Sequence, residues 1–109
     1  MIMQNTFSLI IATYGRYKEI DRLLHSFAQL EYDLNLLEIY IVDQNNKIDL
    51  QPIVEKYTSI LHIHHIRSSR KGLSFNRNIG LKEAHGDIIA FPDDDCTYYP
   101  DTLKKVNKA

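Results

Sequence analysis

Three consecutive aspartates, Asp93, Asp94 and Asp95, end an apolar run in the stretch GDIIAFPDDDCTYYPD, Gly86 to Asp101. Two carboxylates about 4 Å apart repel by roughly 4 kcal/mol at an effective dielectric of about 20, so three in a row beside apolar neighbours point to a cation. In extended chain Asp93 and Asp95 lean to one side and Asp94 to the other, which lets the outer two share one ligand. Mg²⁺ and Mn²⁺ prefer oxygen donors, and Mg²⁺ commonly takes one or two protein carboxylates together with substrate phosphates. Asp94 is then left to accept hydrogen bonds from a sugar hydroxyl. The competing reading is an acidic turn solvated by water, and the apolar flanks IIAF and TYY count against it.

A basic stretch, Arg67, Arg70, Lys71 and, further on, Arg77, could neutralise a diphosphate bridged to such a metal. A charge run in a loop is also what a solvated surface looks like. Arg77 is the stronger candidate because the pattern places it just inside a helix beside Asn78. The segment SSRKGLS is not a GxxxxGK[ST] phosphate loop, so no Walker-type NTPase is indicated. His62 and His64 share a strand face, but no nearby Cys or Glu completes a ligand set. They and His65 are read as structural, and His25 and His85 as surface residues on helices. Cys96 has no His base in view for nucleophilic work.

These groups need a scaffold, and bulk composition describes one ordinary globular domain: 109 residues, 44% hydrophobic and 25% charged. A formal net charge of -1 supplies no basic field for nucleic acid or a membrane surface. The single cysteine excludes an internal disulfide, and no secretory signal pattern or apolar run near 18 residues is present, so the expected setting is reducing and cytoplasmic. Four β-branched and aromatic segments read as strands: Phe7 to Thr13, Glu38 to Asp43, Leu61 to Ile66 and Asp87 to Pro92. Helical spacing links Ile20, Leu23, Leu24 and Phe27, and again Leu50, Ile53, Val54 and Tyr57 behind a candidate cap at Asp49. A third helix is expected from about Ser74 to Gly86 with Phe75, Ile79 and the stem of Lys82 on one side, and a fourth from Pro100. Strands alternating with helices predict an α/β domain with a mainly parallel, Rossmann-like sheet of about four strands covered on both faces. Ligands of such sheets bind beyond the carboxyl ends of the strands, where ATYGR, VDQNN, RSSRKGLSFNRN and the aspartates all fall.

In order and spacing, SLIIATYGR, IYIVDQNN, KGLSFNRNIGLKEAHGDIIAFPDDD and the trailing YYPD resemble the family 2 glycosyltransferases. The resemblance covers nearly the whole chain. It implies the GT-A fold and transfer of a sugar from a nucleotide diphosphate donor, a UDP-sugar first, in polysaccharide biosynthesis. It implies that Thr13 and Tyr14 line the nucleoside pocket and that Asp43 accepts a hydrogen bond from the base ring N–H. Arg77 and Asn78 would lie near the diphosphate or uridine, and Asp94 would touch the ribose or sugar. Asp93 and Asp95 would serve Mn²⁺ or Mg²⁺, which stabilises the leaving nucleotide as a Lewis acid. This chain departs from the family at Ala12, where proline is frequent, at Gly15, where asparagine is frequent, and at Gln44, where a second acidic residue is frequent. The family's catalytic domain is about twice this length. The chain is therefore expected to be its N-terminal nucleotide-binding half, without the residues that bind a saccharide or lipid-linked acceptor or act as catalytic base, and to form a homo-oligomer through surfaces the second half would cover. Two other readings stand beside this one: a non-catalytic nucleotide-binding or assembly module, and a nucleotidyltransferase, which lacks its glycine-rich basic first loop here.

Overall fold

A computed structural model describes residues 3–108. The strands are β1 (Phe7–Thr13), β2 (Leu37–Asp43), β3 (Ile63–Arg67) and β4 (Ile88–Ala90). Between and after them run α1 (Lys18–Ala28), α2 (Gln51–Tyr57), α3 (Leu73–Glu83) and α4 (Thr102–Lys108), with a single 3-10 turn at Leu34–Leu36. All pairings are parallel and the sheet order is β3-β2-β1-β4. The chain thus winds outward from β1 to β3 and then returns to the other side of β1, and that reversal is the switch point at which a crevice opens.

Both faces of the sheet are covered, and its central strands are apolar apart from Ser8, Thr13, Glu38 and Asp43. Phe7, Leu9 and Ile11 from β1 and Ile39 and Ile41 from β2 join Ile20, Leu23, Leu24 and Phe27 of α1, Ile53, Val54 and Tyr57 of α2, and Leu103 of α4 in one buried cluster. On the opposite face Ile10 and Val42 meet α3 at Gly80, and the Tyr40 hydroxyl donates to the Glu83 carbonyl at 2.8 Å. At α2 the expected cap acts one residue early: Leu50 holds the cap position, and Asp49 Oδ1 accepts from the Gln51 N–H at 3.0 Å.

Helix α3 differs from its expected orientation. Its buried residues are Asn76 and Gly80, whereas Phe75 is 39% exposed. The reason is distance: a Cβ on Gly80 would lie 2.6 Å from the Ile10 Cγ2 methyl, so the helix sits too close to the sheet for a large side chain on its inner face. The helix also stops at Glu83 rather than Gly86, which leaves Gly86 packed on the start of β1. There a Cβ would stand 2.5 Å from the Ser8 nitrogen and 2.7 Å from the Phe7 carbonyl carbon. Main chain cannot yield as a rotamer can, so Gly86→Ala is expected to cost about 2 kcal/mol, within the usual range for overpacking. Thermal unfolding should show it as a fall in Tm of about 10 °C, and an unchanged Tm would disprove the contact.

Candidate functional site

The parallel register sets Thr13 beside Asp43 and Asp43 beside Arg67, so the ends of three strands share one edge. Thr13 is buried, and its hydroxyl donates to Asp94 Oδ2 at 2.9 Å. That bond joins the end of β1 to the acidic turn after β4. The Thr13 carbonyl accepts from the Gln44 N–H at 3.0 Å and from Gln44 Nε2 at 3.3 Å. Gln44 Oε1 in turn accepts from the Gly72 N–H at 3.0 Å. A carboxylate could accept from Gly72 but could not donate to Thr13, so only an amide makes both side-chain bonds. Tyr14 is half-exposed above this edge, with Lys71 Nζ 3.0 Å from its hydroxyl and 4.1 Å from its ring centre. The Lys71 hydrogen bond, helped by its charge, holds the Tyr14 hydroxyl below the usual phenol range.

Asp43 is 1% exposed. A carboxylate at that depth needs hydrogen-bond partners, and it has three. His65 Nε2 lies 2.8 Å from Oδ2, while the backbone N–H and the Nδ2 of Asn45 both donate to Oδ1 at 2.8 Å. His65 reaches Asp43 because the two lie diagonally on one face: Ile41 pairs with His65 and Asp43 with Arg67.

The three aspartates sit in a turn closed by the Cys96 N–H on the Asp93 carbonyl at 3.2 Å, rather than in extended chain. The proline before them and the short β4 end the ladder early. Asp94 points inward to Thr13, and Arg16 Nε lies 3.7 Å from its other oxygen. Asp95 lies 3.9 Å from Arg16 and Asp93 3.7 Å from Arg77, whose guanidinium also packs 5.3 Å from the Phe91 ring. Two arginines therefore answer part of the repulsion. The Asp93 and Asp95 side chains remain 70% and 51% exposed. Among the described residues no group of three or more His, Cys, Asp or Glu side chains converges as a metal cage. Exposed carboxylate oxygens are the donor type a hard divalent cation takes beside phosphate and water.

Among the described residues, Asn78, Arg70 and His64 form no side-chain hydrogen bond or ion pair with these groups. Asn78 is exposed on α3, and Arg70 stacks 4.3 Å from the Phe75 ring centre. His64 stacks on Tyr40, with ring centres 4.7 Å apart. With His62, His85 and Glu38 it lines a cavity of about 350 Å³ at the amino edge of the sheet, remote from the aspartates. Desolvation, then the charge of Asp95, raises the Cys96 thiol, which keeps it protonated at neutral pH and unsuited to attack. Sequence reasoning misses Arg16, Asn45 and His65 as site residues. For Arg16 the available signal is its place in the ATYGR stretch, just beyond the threonine that ends β1.

The sequence model of glycosyl transferase family 2 matches residues 8–109. The chain belongs to that family. It is 33% identical over 100 residues to the poly(ribitol-phosphate) beta-N-acetylglucosaminyltransferase TarS of Staphylococcus aureus strain MW2, covering 90% of this chain and 18% of TarS. It is 31% identical over 98 residues to the chondroitin synthase of Pasteurella multocida, covering 88% of this chain and 10% of that protein. The crystal structure of S. aureus TarS 1-349 in complex with UDP-GlcNAc superimposes with a TM-score of 0.88 at 31% identity, over 94% of this chain and 30% of that one. The mannosyltransferase PcManGT from Pyrobaculum calidifontis, in complex with GDP-Man and Mn²⁺, gives a TM-score of 0.86 at 22% identity over 96% of this chain and 32% of that one, which shows the shared fold. The chain thus spans about a fifth of TarS, and its α/β architecture is that of the GT-A glycosyltransferases.

Proposed function

We propose that this chain carries the donor-binding part of a metal-dependent glycosyltransferase that uses a UDP-sugar. The observation behind the proposal is the meeting, at the carboxyl edge of a parallel sheet, of a buried carboxylate, an exposed aromatic ring and an exposed pair of carboxylates. Each suits a different end of one ligand. Asp43 accepts the base ring N–H, and Thr13 and Tyr14 line the nucleoside pocket. Asp94, oriented by Thr13, receives a ribose or sugar hydroxyl. Arg77 and Asn78 face the diphosphate, while Asp93 and Asp95 hold Mn²⁺ or Mg²⁺ against it. When bound, the metal supplies Lewis-acid stabilisation of the charge that develops on the leaving nucleoside diphosphate. This chain's own residues bind and orient the donor, and no residue in it is assigned to deprotonate the acceptor. The uridine preference draws on TarS, whose crystal structures hold UDP-GlcNAc and UDP; a glycan or lipid-linked acceptor belongs to the whole enzyme. Calorimetric titration of the purified chain with UDP is expected to show binding at least about fivefold tighter in Mn²⁺ than in EDTA, a gain of about 1 kcal/mol. Equal affinity in the two conditions would refute the metal role.

A further inference from the structure

If Asp43 reads the base, something must be displaced first, because its side chain is fully enclosed. The enclosing group on the loop side is Asn45. Its Nδ2 donates to Asp43 Oδ1 at 2.8 Å, and its Oδ1 accepts from the Gly15 N–H at 2.7 Å. One planar amide edge therefore spans the two loops, giving a proton to the carboxylate and taking one from the main chain. Reversing the amide would set oxygen against carboxylate and NH₂ against N–H, so its orientation is determined by its neighbours. Gly15 has φ +74, in the left-handed region that favours glycine, and it is in this conformation that its N–H meets Asn45.

An N–H beside a C=O is also the pairing edge of uracil, and of guanine. Cytosine offers the reverse, a ring acceptor beside an amino donor. We propose that the Asn45 side chain is a resident surrogate for the nucleobase, filling the Asp43 and Gly15 partners until a base with the matching edge displaces it. The proposal rests on the reading of Asp43 as the base contact. It makes Asn45 a specificity-determining residue that competes with the ligand. Removing its side chain leaves the Asn45 backbone N–H on Asp43, so the carboxylate keeps its orientation while the position opens.

The test is calorimetric titration of the whole chain with UDP and CDP in Mn²⁺, comparing wild type, Asn45→Ala, Asn45→Gln and Asp43→Asn. Both Asn45 variants are expected to bind UDP about three- to tenfold more tightly, the equivalent of one net hydrogen bond. CDP, whose base lacks the matching edge, should be unchanged. Glutamine is included because its longer stem cannot span the same two partners, and circular dichroism confirms that each variant is folded. UDP affinity that is unchanged or weaker in both variants overturns the proposal, as does an equal gain for CDP. Asp43→Asn separates the two layers. If it keeps the wild-type preference for UDP over CDP, the base-contact reading fails whatever Asn45 does. If it loses that preference while the Asn45 variants gain nothing, only the surrogate is refuted. No UDP binding by the wild-type chain overturns both.

Discussion

Asp95→Ala should erase the metal dependence of UDP binding, so that affinities in Mn²⁺ and in EDTA converge, a loss of at least about fivefold relative to wild type in Mn²⁺. The expectation comes from how few donors the turn offers. Asp94 is spent on Thr13 and Arg16, leaving Asp93 and Asp95 as the exposed pair. A cation that keeps most of its ligands as water and phosphate depends heavily on each protein carboxylate it retains. Losing one of two also leaves Arg16 with only Asp94 and Glu19 to pair with, so no new negative charge replaces the missing one. Asp43→Ala should behave differently, weakening UDP by a similar factor in Mn²⁺ and in EDTA alike. Identical responses from the two variants would show that the acidic turn and the end of β2 do not address separate ends of the ligand.

Sequence makes β1 and β2 readable because a strand buried on both faces has a continuous apolar run: Phe7–Thr13 matches its expected span, and the second strand gains only Leu37. The third strand starts two residues later than its apolar pattern implies. Leu61 belongs to the core from the turn before β3, and an apolar residue there looks the same in sequence as one inside the strand. The orientation of helix α3 escapes the pattern for a different reason. Apolar spacing ranks large side chains as inward, whereas close approach to Ile10 and Val42 demands small ones. At the site, the rule that ligands gather beyond strand ends is enough to bring Thr13, Asp43 and the aspartates together. What it cannot supply is contact across loops. Asn45 meets Gly15 only because that glycine turns left-handed, and His65 meets Asp43 only through the β2–β3 register. Neither depends on a spacing along the chain. The histidines illustrate the limit: adjacent in sequence, His64 and His65 have opposite fates, one stacked in the open and one against a buried carboxylate.

That contrast leads to the largest stability effect expected for a single side chain. His65→Leu should destabilise the fold by about 3 kcal/mol, at the upper end of the usual cost of leaving a buried acceptor without its donor. The His65 side chain is only 9% exposed and that of Asp43 is fully buried. Leucine fills comparable space, so the loss is electrostatic rather than a cavity. The Asp43 Oδ2 oxygen would be left in the interior with no donor, while Asn45 still serves Oδ1. On the far side of the ring, Gln51 Oε1 lies 3.4 Å from His65 Nδ1, and Gln51 Nε2 donates to Glu55 at 3.0 Å. Glu55 thereby turns the amide so that its oxygen faces the imidazole, and both ring nitrogens point at acceptors. His65→Gln retains an N–H donor of similar reach and should recover more than half of the loss. His64→Leu, at an exposed ring stacked on Tyr40, should cost less than about 1 kcal/mol. Urea unfolding monitored by circular dichroism separates these cases. With a slope of about 1.5 kcal/mol/M, the leucine variant at position 65 should show a midpoint about 2 M lower. If His65→Leu and His64→Leu unfold at the same urea concentration, or if glutamine restores nothing, Asp43 is not held by His65.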